Sequence, residues 1–171
     1  YAERGYHGST FGALSVTSDG RKKKFGTLLE ASEVPFGDLG ALEVRLRRRD
    51  VAAVVLEPMQ AEGGVRLPPP NYLAQAKRVC EGYGTLLVLD EVQTGLARTG
   101  PMFALEEEGV VPDVLVLAKA LSGGAMPIGA YVTSKKLWAA AYGSLADHEL
   151  HCATYRGGPL ACAAALSTLW T

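Results

Sequence analysis

Two charged residues sit where the sequence is otherwise strongly apolar. Lys119 interrupts the stretch LVLAKALSGG, and Asp90 closes the similar stretch TLLVLD. A lysine amine that is partly removed from water has a lowered pKa and can attack a carbonyl carbon to form a Schiff base. A nearby carboxylate can pair with a cationic ring nitrogen, and pyridoxal 5'-phosphate requires both groups. A plain ion pair between Lys119 and Asp90 is the alternative.

Three predicted strands carry these charges. Residues 51–57 (VAAVVLE), 85–91 (TLLVLDE) and 113–119 (DVLVLAK) are apolar, β-branched runs of the kind that is buried on both faces of a sheet. Each run ends at a charged residue. In a parallel sheet, ligands bind beyond the carboxyl ends of the strands, so we expect Glu57, Asp90 and Lys119 at one edge.

A helix is predicted between the first two strands. Its apolar residues have helical spacing, and glycines follow that can end it: Tyr72, Leu73, Ala76, Val79 and Cys80, then Gly82 and Gly84. Alternating strands and helices predict an α/β fold with a mostly parallel sheet covered by helices. No repeat or linker divides the chain, so we expect one domain or part of one.

Composition and charge argue against several classes of protein. Seventeen basic and 18 acidic residues give a net charge of -1, which offers no general attraction to nucleic acid or to anionic membranes. The basic run at residues 21–24 is predicted to be a solvated loop. The three cysteines have neither zinc-site spacing nor a partner each, so no metal site is expected. Without a membrane-length apolar run or a signal-like start, a cytoplasmic location is expected.

Both ends of the chain look internal. The sequence opens at YAERGYHGST without a methionine and stops within LACAAALSTLWT, which has the composition of an unfinished helix. We therefore expect a fragment of a longer protein.

Three long motifs carry a family resemblance: EPMQAEGGVRLPPPNYL, LLVLDEVQTGLARTGPMFALEEEGVVPDVLVLAKALSGGAMPIGA and HCATYRGGPLACAAAL. They resemble the central signatures of the class III pyridoxal-phosphate-dependent aminotransferases, a fold-type I group. Within that group, PPPNYL and AKALSGGAMPIGA look most like putrescine aminotransferase. The resemblance implies that residues 1–171 are the central part of the PLP-binding large domain. The N-terminal segment and the C-terminal small domain would then be absent.

The resemblance implies cofactor roles for four residues near the strand ends. Lys119 would hold the cofactor and move the proton of the substrate carbon, and Asp90 would pair with the ring nitrogen. Gln93 would donate a hydrogen bond to the phenolic oxygen, and Val92 would lie against one ring face. From the residues alone, Val92 is equally a plain core residue.

Three further residues are implied to complete the cofactor site. Tyr6 would cover the other ring face, although it too could be a core residue, and the adjacent His7 would also bind the cofactor. Thr154 would reach the cofactor phosphate of a neighbouring subunit. This implies a homodimer with shared active sites, or a tetramer assembled from such dimers.

Substrate recognition is implied for two acids and one serine. Glu62 matches a glutamate that partners a substrate-binding arginine, and Glu57 matches an acid near the ring that could equally cap its strand. Ser9 stands where relatives carry an arginine that clamps a substrate carboxylate. This favours a diamine such as putrescine, or another ω-amine, as the amino donor, with 2-oxoglutarate or pyruvate as the acceptor.

Several alternatives remain open. The donor could be ornithine, acetylornithine or 4-aminobutyrate, as in other members of the group. The reaction could be an aminomutase-like or decarboxylating one that uses the same cofactor. The chain could also be an inactive scaffold, although a scaffold requires none of Lys119, Asp90, Gln93 and Thr154.

Overall fold

In the described part of the chain, one sheet of four strands forms the centre. The computed structural model describes residues 1–20, 24 and 26–170. The strands are β1 (Ala53–Leu56), β2 (Leu86–Asp90), β3 (Val114–Leu117) and β4 (Ala130–Thr133), in the spatial order β1-β2-β3-β4. The first three are parallel and β4 is antiparallel to β3. The predicted α/β fold with a mostly parallel sheet is confirmed. The basic run at residues 21–24 lies almost entirely outside the described residues, so its solvated loop stays a prediction.

Helices connect and flank the strands. The described residues form the α-helices α1 (Phe11–Ser15), α2 (Leu39–Leu46), α3 (Tyr72–Tyr83), α4 (Lys135–Tyr142) and α5 (Pro159–Trp170), with 3₁₀ helices at Ala104–Glu108 and Lys119–Ser122. The helix predicted between β1 and β2 is α3. It ends at Gly84, whose φ of 69° is the left-handed conformation that glycine adopts without a steric penalty.

The main core lies between the sheet and the pair α2 and α3. It is built from side chains that are almost fully buried: Leu42, Leu46, Val54, Leu56, Tyr72, Leu73, Ala76, Cys80, Leu87 and Leu89. The Tyr72 ring meets Phe36 edge to face at 5.7 Å between centroids. Each large apolar side chain buried in this way contributes roughly 1.5–3 kcal/mol. This core holds in place the sheet that carries the charged residues at the carboxyl ends of its parallel strands.

The prediction that the strands are buried on both faces is wrong for the described chain. Along β1, Val54 and Leu56 are buried while Ala53 and Val55 are partly exposed, and β2 alternates in the same way. The reason is that α2 and α3 pack on the face that holds the core cluster. Side chains on the second face keep partial contact with solvent.

An ion pair near the starts of β2 and β3 helps to set the strand register. Asp113 Oδ2 accepts hydrogen bonds from Lys77 Nζ at 2.8 Å and from the Leu87 amide at 2.7 Å. These bonds join α3 to the starts of β2 and β3. In the resulting register Asp90 is opposite Val116.

Two properties of the described residues bear on function. None of the helices there has the length and apolar character that crossing a bilayer requires. No cluster of three or more histidine, cysteine or acidic residues in that part of the chain is placed to bind a metal ion.

Candidate active site

The carboxyl ends of the three parallel strands bring charged residues to one edge. Glu57 follows β1, Asp90 ends β2, and Lys119 comes two residues after β3. Glu57 and Asp90 are only 4% and 8% exposed. The Glu57 carboxyl interacts electrostatically with His7, Asp90 and Lys119.

Asp90 is held by a histidine from the start of the chain. Its Oδ2 atom lies 2.8 Å from His7 Nδ1, and its Oδ1 atom accepts the Val92 amide at 3.0 Å. When the carboxylate is ionised it only accepts hydrogen bonds, and Nδ1 is then the donor. The other ring nitrogen, Nε2, is buried and has no hydrogen-bond partner among the described residues. His7 was predicted to bind the cofactor, and its described contact is with Asp90.

The segment at residues 5–7 is fitted across the ends of β1 and β2. Glu57 Oε2 accepts the Tyr6 amide at 3.1 Å. A Cβ atom at Gly5 would lie 2.9 Å from the Ala2 carbonyl oxygen and 3.2 Å from His7 Nε2, so only glycine fits there. Burial raises the pKa of the Glu57 carboxyl, while the Tyr6 amide and the charge of His7 act in the opposite direction.

Tyr6 and Glu62 line one cavity beside this edge. The cavity has a volume of about 460 Å³, and Arg4, Gly63 and Thr17 also line it. The Tyr6 hydroxyl is 3.2 Å from Ser9 Oγ. On the other side, Gln93 Nε2 donates to Glu62 Oε1 at 3.2 Å.

Lys119 begins a 3₁₀ helix with a left-handed backbone, its φ being 45°. A non-glycine residue held in this region costs of order 1–3 kcal/mol, and such residues cluster at functional sites. The side chain is exposed in the described chain. The expectation of a partly desolvated lysine is therefore wrong for this chain alone, because β3 ends at Leu117 and Lys119 lies in the 3₁₀ helix beyond it.

Thr154 is apart from this group. It lies in an exposed turn ahead of α5. Within the described residues no hydrogen bond connects it to the strand-end residues. Its implied contact with a neighbouring subunit stays a prediction.

Sequence reasoning missed a buried carboxylate next to Asp90. Glu91 is 2% exposed and accepts hydrogen bonds from Thr94 Oγ1 at 2.7 Å, from the Ala104 amide at 3.0 Å and from the Leu105 amide at 2.8 Å. It fixes the loop at residues 94–105 to the end of β2. An acid directly after an apolar strand, paired with a second acid, was the available signal.

The residues at this edge fit pyridoxal phosphate. Asp90 is a buried carboxylate whose oxygens have lone pairs beyond those bound by His7 and Val92, which suits a protonated ring nitrogen. Lys119 offers an accessible amine at the next strand end. Tyr6 offers an aromatic ring at the rim of the cavity.

The fold is α/β, and its charged residues lie beyond the carboxyl ends of the parallel strands, where proteins of this class bind ligands. The chain belongs to the class-III aminotransferases, because the model of that family matches residues 2–171. Enzymes of this family transfer amino groups and use pyridoxal phosphate. The resemblance inferred from the motifs is confirmed.

Solved structures give the same result. The chain is 37% identical to the ornithine aminotransferase of Toxoplasma gondii, crystallised with PLP at partial occupancy in its active site, with a TM-score of 0.90 over 99% of this chain and 39% of that one. It is 39% identical to the acetylornithine aminotransferase of Elizabethkingia anophelis, with a TM-score of 0.73 over 80% of this chain and 35% of that one. It is 32% identical to a transaminase from the marine bacterium Virgibacillus, with a TM-score of 0.86 over 99% of this chain and 41% of that one. The chain thus spans about two fifths of the length of these relatives.

Proposed function

We propose that the protein containing this chain is an aminotransferase that moves an amino group from an ω-amine to a 2-oxo acid. The observation that carries this proposal is the arrangement at the strand ends. There the amine of Lys119 is accessible, and the Asp90 carboxylate is buried and held by His7. When bound, pyridoxal phosphate supplies an aldehyde for amine exchange and a ring that withdraws electrons from the substrate carbon.

Each residue then has a physical task. Lys119 Nζ takes the proton from the substrate carbon and returns it, as a positioned general base and acid. Asp90 would face the ring nitrogen with its carboxyl group, which His7 Nδ1 holds in place. Val92 and Tyr6 would restrict the ring from its two faces, and Gln93 would donate to its phenolic oxygen.

The similar structures favour ornithine or a related ω-amino acid as the donor. Two of them are named for ornithine and acetylornithine. Ornithine and acetylornithine are among the alternative donors that the sequence leaves open, and the similar structures support them better than the diamine.

One local observation favours the diamine as a second candidate. Ser9 is exposed, and its Oγ atom is 3.2 Å from the Tyr6 hydroxyl. A neutral hydroxyl cannot form the bidentate ion pair that an arginine makes with a carboxylate. Putrescine has no carboxylate to recognise, so Ser9 would not impair its binding.

A donor panel on the intact protein tests the proposal. Ornithine, acetylornithine, 4-aminobutyrate and putrescine are each supplied with 2-oxoglutarate or pyruvate, and the release of glutamate or alanine is measured. Release of either product separates transfer from aminomutase or decarboxylase chemistry. No release with any pair would refute the aminotransferase proposal.

The Ser9→Arg variant separates the two donor classes, with Ser9→Ala as the matched control. If the diamine is the donor, the arginine lowers kcat/KM for putrescine and raises it for ornithine, while the alanine changes both little. If the wild type already prefers ornithine by about tenfold or more, a difference of about 1.4 kcal/mol, the diamine candidate fails.

We also propose that residues 1–171 lie in the large domain of a homodimer in the cytoplasm. Thr154 in its exposed turn supports a contact with a second subunit. The helix α4 buries none of its residues, and Leu160 and Trp170 of α5 are 68% and 85% exposed. Light scattering on the intact protein would give the subunit count, and a monomer would refute shared sites.

A further inference from the structure

The loop at residues 60–66, which carries Glu62, is closed by its own main chain. The Gln60 amide donates to the Arg66 carbonyl at 3.0 Å, and the Arg66 amide donates back to the Gln60 carbonyl at 2.9 Å. The turn inside the loop passes through left-handed residues, with φ of 106° at Gly64 and 54° at Val65. Glu62 is therefore presented from a closed loop.

The side chain of Arg66 joins this loop to the segment at residues 3–6. Its Nη1 atom donates to Gln60 Oε1 at 3.1 Å, and its Nη2 atom donates to Glu3 Oε1 at 3.1 Å. The guanidinium also lies over the Phe36 ring, 5.6 Å from its centroid. Gln60 is fully buried, and its Nε2 atom donates to the Glu3 carbonyl at 2.7 Å. Arg66 thus bridges two acceptors that belong to different segments.

The loop at residues 60–66 packs closely against the segment at residues 3–6. A Cβ atom at Gly63 would lie 2.8 Å from the Arg4 carbonyl oxygen and 3.1 Å from Gln60 Oε1. The segment at residues 3–6 carries Tyr6, and the loop carries Glu62, which line the same cavity. Seating the loop against the segment therefore fixes Glu62 relative to Tyr6.

We propose that Arg66 is a positioning residue that sets Glu62 for recognition of the charged end of the amino donor. Arg66 is not among the residues that line the cavity, so it acts through the loop. Glu62 is exposed, and its described partner is Gln93. Without the bridge, its carboxylate would sample more positions and bind a substrate cation, or a cationic side chain beside the substrate, less well. This inference rests on the proposed function.

The contacts of Arg66 with Gln60 and Glu3 require the two Nη atoms of a guanidinium group. A lysine has the charge of Arg66 but is a single point charge that cannot span two acceptors in fixed geometry. A methionine keeps the length of the side chain and removes the charge. Arg66→Lys is therefore expected to retain part of the positioning of Glu62, and Arg66→Met is expected to retain none of it.

A double-mutant cycle on the intact holoprotein tests the coupling. The variants are Arg66→Met, Arg66→Lys, Glu62→Gln and the Arg66→Met/Glu62→Gln double variant, with Arg48→Met as the control at an exposed arginine. Arg66→Met is expected to raise the donor KM about tenfold and to change kcat less than twofold. The double variant should be no worse than Glu62→Gln alone. Effects that multiply, or a loss confined to kcat, would overturn the proposal.

Hydrogen exchange gives a readout that does not depend on activity. In Arg66→Met, the amides of residues 60–66 should exchange about tenfold faster, while residues 86–90 exchange as in the wild type. Arg48→Met should leave both segments unchanged. Unchanged exchange at residues 60–66 would overturn the positioning role, even if the protein transfers amines. Conversely, if the wild type transfers no amino group but Arg66→Met still speeds exchange at residues 60–66, only the proposed function is refuted.

Discussion

His7 Nδ1 and Asp90 Oδ2 are 2.8 Å apart although the two residues are separated by 83 positions in the sequence. Both side chains are nearly withdrawn from solvent, with 5% and 10% of their surface exposed. The contact between Nδ1 and Oδ2 therefore fixes the position of the Asp90 carboxyl group where a cationic ring nitrogen is to bind.

Removal of that proton donor should reduce catalysis. We expect His7→Phe to lower kcat/KM at least about tenfold, because hydrogen bonds to charged groups are worth about 1.5–3 kcal/mol. His7→Asn should lose less, since its amide can place an N–H close to the position of Nδ1. The measurement is steady-state kinetics together with the dissociation constant of pyridoxal phosphate. Equal activity of the two variants would contradict this role.

Glu91 should matter for stability. Replacement by glutamine keeps the shape but turns one acceptor into a donor, which would face either the Leu105 amide or both Thr94 Oγ1 and the Ala104 amide. A cost of about 1–3 kcal/mol in the free energy of unfolding is expected. Urea unfolding of the intact apoprotein measures it, with Glu107→Gln, at an exposed acid of the neighbouring 3₁₀ helix, as the control. Equal midpoints for the two variants would show that the three bonds contribute nothing.

Glu57 should make stability depend on pH. Burial raises its pKa above the ordinary value of 4.5. An acid with a raised pKa in the folded state contributes stability that is fully present below 4.5 and is lost as the pH rises through the folded-state pKa. Glu57→Gln stays neutral throughout and can still accept the Tyr6 amide. The difference between the Tm of Glu57→Gln and that of the wild type should therefore increase as the pH rises above 4.5, and then become constant.

The control for this pH dependence is Glu81→Gln, since Glu81 is an exposed acid at the end of α3. Its Tm should not gain on the wild type over the same pH range. If the Tm difference for Glu57→Gln is flat or falls with pH, the Glu57 carboxyl is not disfavoured in its charged form.

Local patterns were sufficient to predict the sheet and its charged edge. Apolar runs predicted β1, β2 and β3, helical spacing predicted α3, and the rule for parallel sheets placed Glu57, Asp90 and Lys119 together. These features are local because each depends on a few consecutive residues. The strand β4 has a similar apolar character but was not singled out, and its antiparallel direction has no local signal.

The pairing of side chains could not be predicted in the same way. The contact of His7 with Asp90, and that of Arg66 with Glu3, joins segments far apart in the chain. Such pairs follow from the way whole elements pack, which spacing does not encode.

Mass spectrometry of the borohydride-reduced intact holoprotein tests the central claim most directly. We expect the pyridoxyl group on Nζ of Lys119. It should be lost in Lys119→Ala and kept in Lys135→Arg, which changes an exposed lysine of α4. A pyridoxyl group found only on another lysine, or a wild-type protein that binds the cofactor and leaves Lys119 unlabelled, would contradict the assignment of this site.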